Sequence, residues 1–500
     1  MEELRYFSGK IIILILFILA TVVINGQDRE LLKQYTWKQF DITSICQITV
    51  DYQTDNFSFL PVNKKESSGD IPSLRKINKL KDSLRITDDI YYLKEIGLMY
   101  FALNKKDSGR FYLYEAENRY WDKLKNNPKD SSLLQDICMI NYSLGNIQQA
   151  MDFADSILKI YPFNLNALNI NILLHTFTGD FEGARTYYEK VIEHFPENPL
   201  GYLQKTNAIL LEETYKLAGK TKENFTGIHY DISFLQEAAE IYACCPEIQM
   251  ATLSCKLLLL FYGITIPIGF DPPESMKNFK IPLTKNDSLE LASYEKQYFN
   301  MIEDSAYINH YTLYYSLGII NFLKGNYFNA IACFEKSIEL CGSRNEGSIS
   351  SCYDNISTCY LYLGDTLNAK NNIEMKIKNV NSSSVKATGY IQIGTYEVSE
   401  KHLRRGYKCF KKALELDSNA YKAYVDLANL QMLKNNLDLA QEYIDKCYSI
   451  KPDCLELYKS FILLSLFQGD TEMAEYFVNR CLSNDPEDTF AQDIKRDFLK

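Results

Sequence analysis

Residues 131–164 read SSLLQDICMINYSLGNIQQAMDFADSILKIYPFN, and residues 165–198 read LNALNINILLHTFTGDFEGARTYYEKVIEHFPEN. Laid over one another, these stretches of 34 residues align Gly145 with Gly179, Ala150 with Ala184 and Pro162 with Pro196. Ala116 and Pro128 carry the same interval upstream. It returns near the C-terminus, where Tyr390, Tyr424 and Tyr458 are 34 apart, as are Ala440 and Ala474, and Pro452 and Pro486. Several residue types in phase at one period mark a repeat array whose unit is a single supersecondary element.

The residue types give the unit its shape. Apolar residues recur at helical spacing, Leu168, Ile172 and His175 first, then Ala184, Tyr188 and Val191, which predicts two helices. The glycine between them (Gly145, Gly179, Gly325, Gly364, Gly469) suits the left-handed position that ends a helix. The proline closes the second helix and presets the turn into the next unit. Small residues in both helices, such as Gly318 and Ala330, allow close approach. One such hairpin cannot bury its apolar face alone, so the units must stack.

This pattern resembles the tetratricopeptide repeat family. The unit from Ser350 supplies Tyr353, Ile356, Tyr360, Gly364 and Ala369; the unit from Ala387 supplies Tyr390, Gly394, Phe410 and Ala413, with Gly406 in place of the usual alanine. Units begin near 90, 131, 165, 311, 350, 387, 421 and 455. The first has Leu93, Ile96, Gly97 and Tyr100 in its first helix. With Ala116 as the small residue of its second helix, the marks Ala116, Tyr120 and Pro128 fall about seven residues late, which predicts a longer turn around Asn104–Arg110. The fold this implies is all-α, a solenoid of antiparallel helix pairs in two repeat blocks, 90–198 and 311–487.

Between the blocks, residues 199–310 lose the phase but keep helical periodicity at Leu203–Leu217, Ile232–Ala243 and Ile248–Phe261. Pro267, Pro272, Pro273 and Pro282 make 265–287 a loop or hinge. Residues 27–89 form an N-terminal segment of helix and loop, with a polar helix over Ser73–Leu84, and residues 488–500 read as the solvated helix that caps such an array. Residues 1–26 read as a targeting segment: Lys10 precedes Ile11–Ile24, an uncharged stretch that suits a signal peptide and is short for a membrane span. Gly26 is small enough for cleavage, whereas Ile24 two residues before it is not. Export to a periplasm, the extracellular space or a secretory lumen is expected. The alternative is a membrane anchor over residues 11–24, which would be the chain's sole membrane contact.

Composition narrows the function. A chain 46% apolar folds, and 64 acidic against 54 basic residues give a net charge of −10. With no basic run, that balance disfavours nucleic acid. Thirteen cysteines cannot all pair; Cys138, Cys447 and Cys481 stand where the repeat wants a small apolar residue, while Cys244, Cys245 and Cys255 are the candidates for a bridge. None of His175, His194, His229, His310 and His402 pairs at metal-ligand spacing, and His175 falls on a buried repeat position. Gly219-Lys220-Thr221 lacks the earlier glycine of a phosphate loop, since Thr214 stands there. Ser156 and Lys159, spaced as in some acyl enzymes, lie on a repeat helix. No catalysis, cofactor or metal is expected.

The resemblance implies that the first helices of the units line an inner binding surface. Places two, five, nine and twelve of the unit hold Ser132, Gln135, Met139 and Tyr142, then Asn166, Asn169, Leu173 and Thr176. Lys422, Asn429 and Lys459 occupy comparable places in the last units. The expected function is that of a non-catalytic adaptor, holding an extended peptide or partner helix in the concave groove. Two alternatives stand beside it: a structural spacer of an envelope complex, and an enzyme accessory with its site in 199–310.

Overall fold

The computed structural model describes residues 32–36, 74–102, 106–218, 232–243, 245–265, 281–304, 310–342, 346–484, 486 and 488–499. The targeting segment, Cys244 and most of the loop 265–287 lie outside the described residues. Among the described residues there is no strand, and no helix is long and apolar enough to cross a membrane.

After a helical turn at 32–36, the chain forms α1 (Leu74–Thr87) and then three hairpins. These are α2 (Ile90–Ala102) with α3 (Lys106–Asn126), α4 (Ser131–Leu144) with α5 (Ile147–Ile160), and α6 (Leu165–Thr178) with α7 (Phe181–His194). Four helices follow: α8 (Leu200–Ala218), α9 (Ser233–Ile241), α10 (Pro246–Thr265) and α11 (Lys285–Glu303). Five further hairpins complete the stack: α12 (Tyr311–Leu323) with α13 (Tyr327–Cys341), α14 (Glu346–Tyr362) with α15 (Thr366–Asn379), α16 (Ser383–Ser399) with α17 (Leu403–Leu416), α18 (Tyr421–Leu433) with α19 (Leu437–Ile450), and α20 (Leu455–Gln468) with α21 (Thr471–Asn484). The closing helix is α22 (Thr489–Phe498). Each helix packs chiefly on its neighbours in sequence, so the array is an all-α solenoid of antiparallel helix pairs.

Local chemistry sets the turns. Gly145 and Gly179 end α4 and α6 at φ 87° and 79°, the left-handed region that a side chain enters at a cost. Lys401 and Asn435 hold the same place after α16 and α18, at φ 68° and 62°. Side-chain caps start the helices: Asp130 accepts from the Ser132 and Leu133 amides, Asn164 from that of Ala167, and Asp488 from that of Ala491. Each such cap contributes about 1 kcal/mol.

Two expectations need correction. Residues Lys106–Arg110 are not turn but the start of α3. Gly109, not Ala116, is the small residue facing α2: a Cβ on it would lie 3.1 Å from the Gly97 carbonyl oxygen, and one on Gly97 would lie 2.6 Å from a Leu113 methyl. The first unit is therefore in phase, and its surplus residues extend the C-terminal end of its second helix. Likewise Lys285–Asp287, assigned to the proline-rich loop, are helical. Thr284 Oγ1 accepts from the Asp287 amide at 3.1 Å and Asp287 accepts from the Thr284 amide at 2.8 Å, a reciprocal cap that starts α11 early.

The irregular middle is packed, not detached. Leu257 and Phe261 of α10 and Leu291 and Tyr298 of α11 share one apolar cluster with Phe322 of α12 and Tyr362 of α14. Cys138, Cys447 and Cys481 are fully buried at their small-residue places. His175 is held by Asp180 at 2.7 Å and stacked on Tyr187.

Candidate functional site

The places expected to line the inner surface of the first block lie on α2, α4 and α6. At its fifth and neighbouring places, polar side chains tie one unit to the next. Lys94 reaches Asp136 of the following unit at 2.8 Å. Gln135 donates to Asn164 at 3.2 Å, the residue that caps α6. Gln204 of α8 donates to Asn169 at 2.8 Å. These bonds fix the spacing of successive first helices. They also occupy the two amides that sequence reasoning had offered to a ligand: Asn169 is buried and Gln135 half-buried, each already partnered within the chain.

The apolar places are open. Leu98, Met139 and Leu173, at the ninth place of three successive units, are half-buried. Tyr142, at the twelfth place of α4, keeps 39% of its surface exposed, and Asn166 is exposed at the second place of α6. Burial raises the Tyr142 hydroxyl above its ordinary range, so the ring meets solvent as a neutral donor. The face is an apolar strip edged by fixed polar groups.

The second block differs at the same register. Its twelfth places, Phe322, Leu361, Val398, Met432 and Leu466, are all buried. Asn429 is buried and accepts from Ser460 at 2.9 Å. Lys459 pairs with Asp488 at 2.8 Å and lies over the Phe490 ring, which ties α20 to the closing helix. Lys422, the more exposed, sits 3.8 Å from Glu456. Beside it on α18, Asp426 is half-buried. This desolvation pushes its carboxyl up to about 8, against the pull of Lys422 and with a push from Glu456.

One cluster of ligand-type groups forms among the described residues: Glu397, Glu400 and His402. Sequence spacing had not suggested it, because the loop at Lys401 folds the three together. Glu397 is already paired with Lys370, with His402 at 3.2 Å and with Arg405 at 3.7 Å. Lys370 and Arg405 bring positive charge to Glu397, and the group reads as a hairpin clasp.

The comparisons with known proteins agree with this architecture. Tetratricopeptide repeat family models match residues 172–198, 311–343 and 421–454. A comparison with curated proteins finds no match. Among solved structures, the chain is similar to yeast Tom70, with 12% identity over 84% of this chain and 89% of that one, at a TM-score of 0.43. It is also similar to PilF of Pseudomonas aeruginosa, with 13% identity over 41% and 90% at 0.33. A third likeness is to YrrB, described as a TPR protein with an unusual peptide-binding site, with 15% identity over 40% and 99% at 0.28. Likenesses this distant leave the assignment to the repeat matches and to the hairpins themselves, with their glycine turns and small-residue crossings. On those grounds the chain carries tetratricopeptide repeats, matched at residues 172–198, 311–343 and 421–454, within an all-α solenoid of helix hairpins.

Proposed function

We propose that the first block is the working surface of a non-catalytic adaptor, and that the face of α2, α4 and α6 holds an extended segment or a helix of a partner protein. The observation that carries this reading is the contrast between blocks at one register. Tyr142 is 39% exposed where Met432 is fully buried, and Met139 and Leu173 are open where Leu463 is closed. A strip of methionine, leucine and tyrosine between immobilised polar ties suits apolar side chains on one edge of a ligand, with Asn166 free to meet its backbone. The uncharged stretch Ile11–Ile24 supports placing this adaptor outside the cytoplasm, either released or anchored.

The reading is tested by panning a random peptide library on the intact protein, with counter-selection on Met139→Glu/Tyr142→Ala. Enriched peptides that bind the intact chain and not a variant of equal melting temperature support it. Peptides that bind both alike would move the site off this face.

A further inference from the structure

The buried inner face of the last repeats poses a question of its own. A segment from the opposite end of the chain joins their apolar cluster and packs on the closing helix α22. Leu32 and Tyr35 of the helical turn 32–36 belong to one apolar cluster with Val425 and Met432 of α18, Leu463 of α20, and Phe490 and Ile494 of α22. Leu32 is 1% exposed and Tyr35 5%, while Gln34 between them faces solvent. The Tyr35 ring meets the edges of Phe490 and Phe498, each with centroids 6.0 Å away. Its hydroxyl donates to Asp497 at 2.7 Å.

We propose that residues 32–36 are an intramolecular ligand of the C-terminal repeats. The face they cover is a second binding surface, specific for a helical turn that carries an apolar residue and a tyrosine three places apart. A partner segment of that kind displaces them. This concerns a different surface from the first-block face and stands or falls apart from it. The chemistry of the site supports it. Spacing of three puts Leu32 and Tyr35 on one side of a helical turn. The aromatic pair Phe490 and Phe498 selects a ring in edge-on geometry, and Asp497 selects one that bears a donor. A turn attached through two anchors is held chiefly because it belongs to the same chain, which makes its binding intramolecular. A separate protein presenting more contacts can outcompete such a ligand.

The test uses a fluorescent peptide of residues 27–40 and the full chain, intact or carrying Leu32→Ala/Tyr35→Ala. The proposal expects the variant to bind the peptide about tenfold or more tightly than the intact chain, whose own segment competes. A peptide bearing the same two alanines should not bind. Equal affinity for both chains, or equal binding of the alanine peptide, overturns the proposal. Loss of folding in the double variant overturns it too, because a displaceable segment leaves the repeats folded when it is gone. Tyr35→Phe in the full chain keeps the ring contacts and removes the bond to Asp497, so it should admit the peptide to an intermediate degree. A Tyr35→Phe chain that binds no better than the intact one counts against the selectivity for tyrosine.

Discussion

Gly394 tests the hairpin geometry most sharply. It lies in α16 where α17 crosses, and a Cβ placed on it would sit 2.4, 2.7 and 3.0 Å from three carbons of the Phe410 ring. Carbon atoms prefer roughly 3.5–4.0 Å, so the ring must retreat by about 1 Å. Phe410 is fully buried, so its ring moves only by displacing packed neighbours. Overpacking of this kind costs about 1–3 kcal/mol, while alanine in a helix interior gains about 0.5–1 kcal/mol over glycine. Gly394→Ala is therefore expected to lose about 1–2 kcal/mol, read as a lower urea midpoint at unchanged slope by circular dichroism. Phe410→Leu alone loses packing. In the double variant the leucine vacates the space that the new methyl needs, so the two losses should not add, with a coupling of about 1 kcal/mol or more. A neutral or stabilising Gly394→Ala, or strictly additive losses, would refute the reasoning.

Other expectations follow from particular contacts. Lys376 is fully buried, bonded to Asp354 and to Gln392 at 2.7 Å each. Asp354→Ala strands that ammonium and should cost about 3–5 kcal/mol; Lys376→Met leaves only a partly solvated carboxylate and should cost clearly less, as measured by urea unfolding. At the left-handed place after α16, Lys401→Gly should stabilise by about 1 kcal/mol, seen as a raised melting temperature. The folded pKa of Asp426, about 8, exceeds its unfolded value of about 3.9. The stability from its retained proton is thus full below about pH 4 and is lost as pH rises towards about 8. Asp426→Asn should flatten that decline, matching the parent chain at about pH 4 and exceeding it at about pH 8, in melting curves taken across the range.

The glycine at the turn, the small residues at the crossing and the proline after the second helix are all local requirements, so the repeat was readable from residue types alone. Register was harder. Gly406 was accepted as the small residue of its unit, yet Gly109 plays the same part in the first unit and was passed over for Ala116. Two extra turns at the end of α3 happen to place that alanine 34 residues before Ala150, and a periodicity search cannot tell an insertion from a shift. Lys285 entered the loop by its proximity to Pro282, although Thr284 and Asp287 carry the capping signal. Among the groove residues, Met139, Tyr142, Asn166, Leu173 and Lys422 do lie open or half-open. Asn169, Asn429 and Lys459 are engaged within the chain, because their partners Gln204, Ser460 and Asp488 come from the next unit and no local pattern announces them. Leu32 and Tyr35 carry no repeat signal at all; their role depends on a contact across 462 positions of chain between Tyr35 and Asp497.

On the proposed reading, the partner is held by the first-block inner face. A photo-crosslinking residue placed at Tyr142, compared with one at Phe163 (57% exposed and outside the inner places of the repeat), tests it most directly in extracts of the native compartment. A discrete adduct is expected from position 142, abolished by Met139→Glu, and none from position 163. Adducts from 163 alone, or from both positions irrespective of Met139, would contradict it.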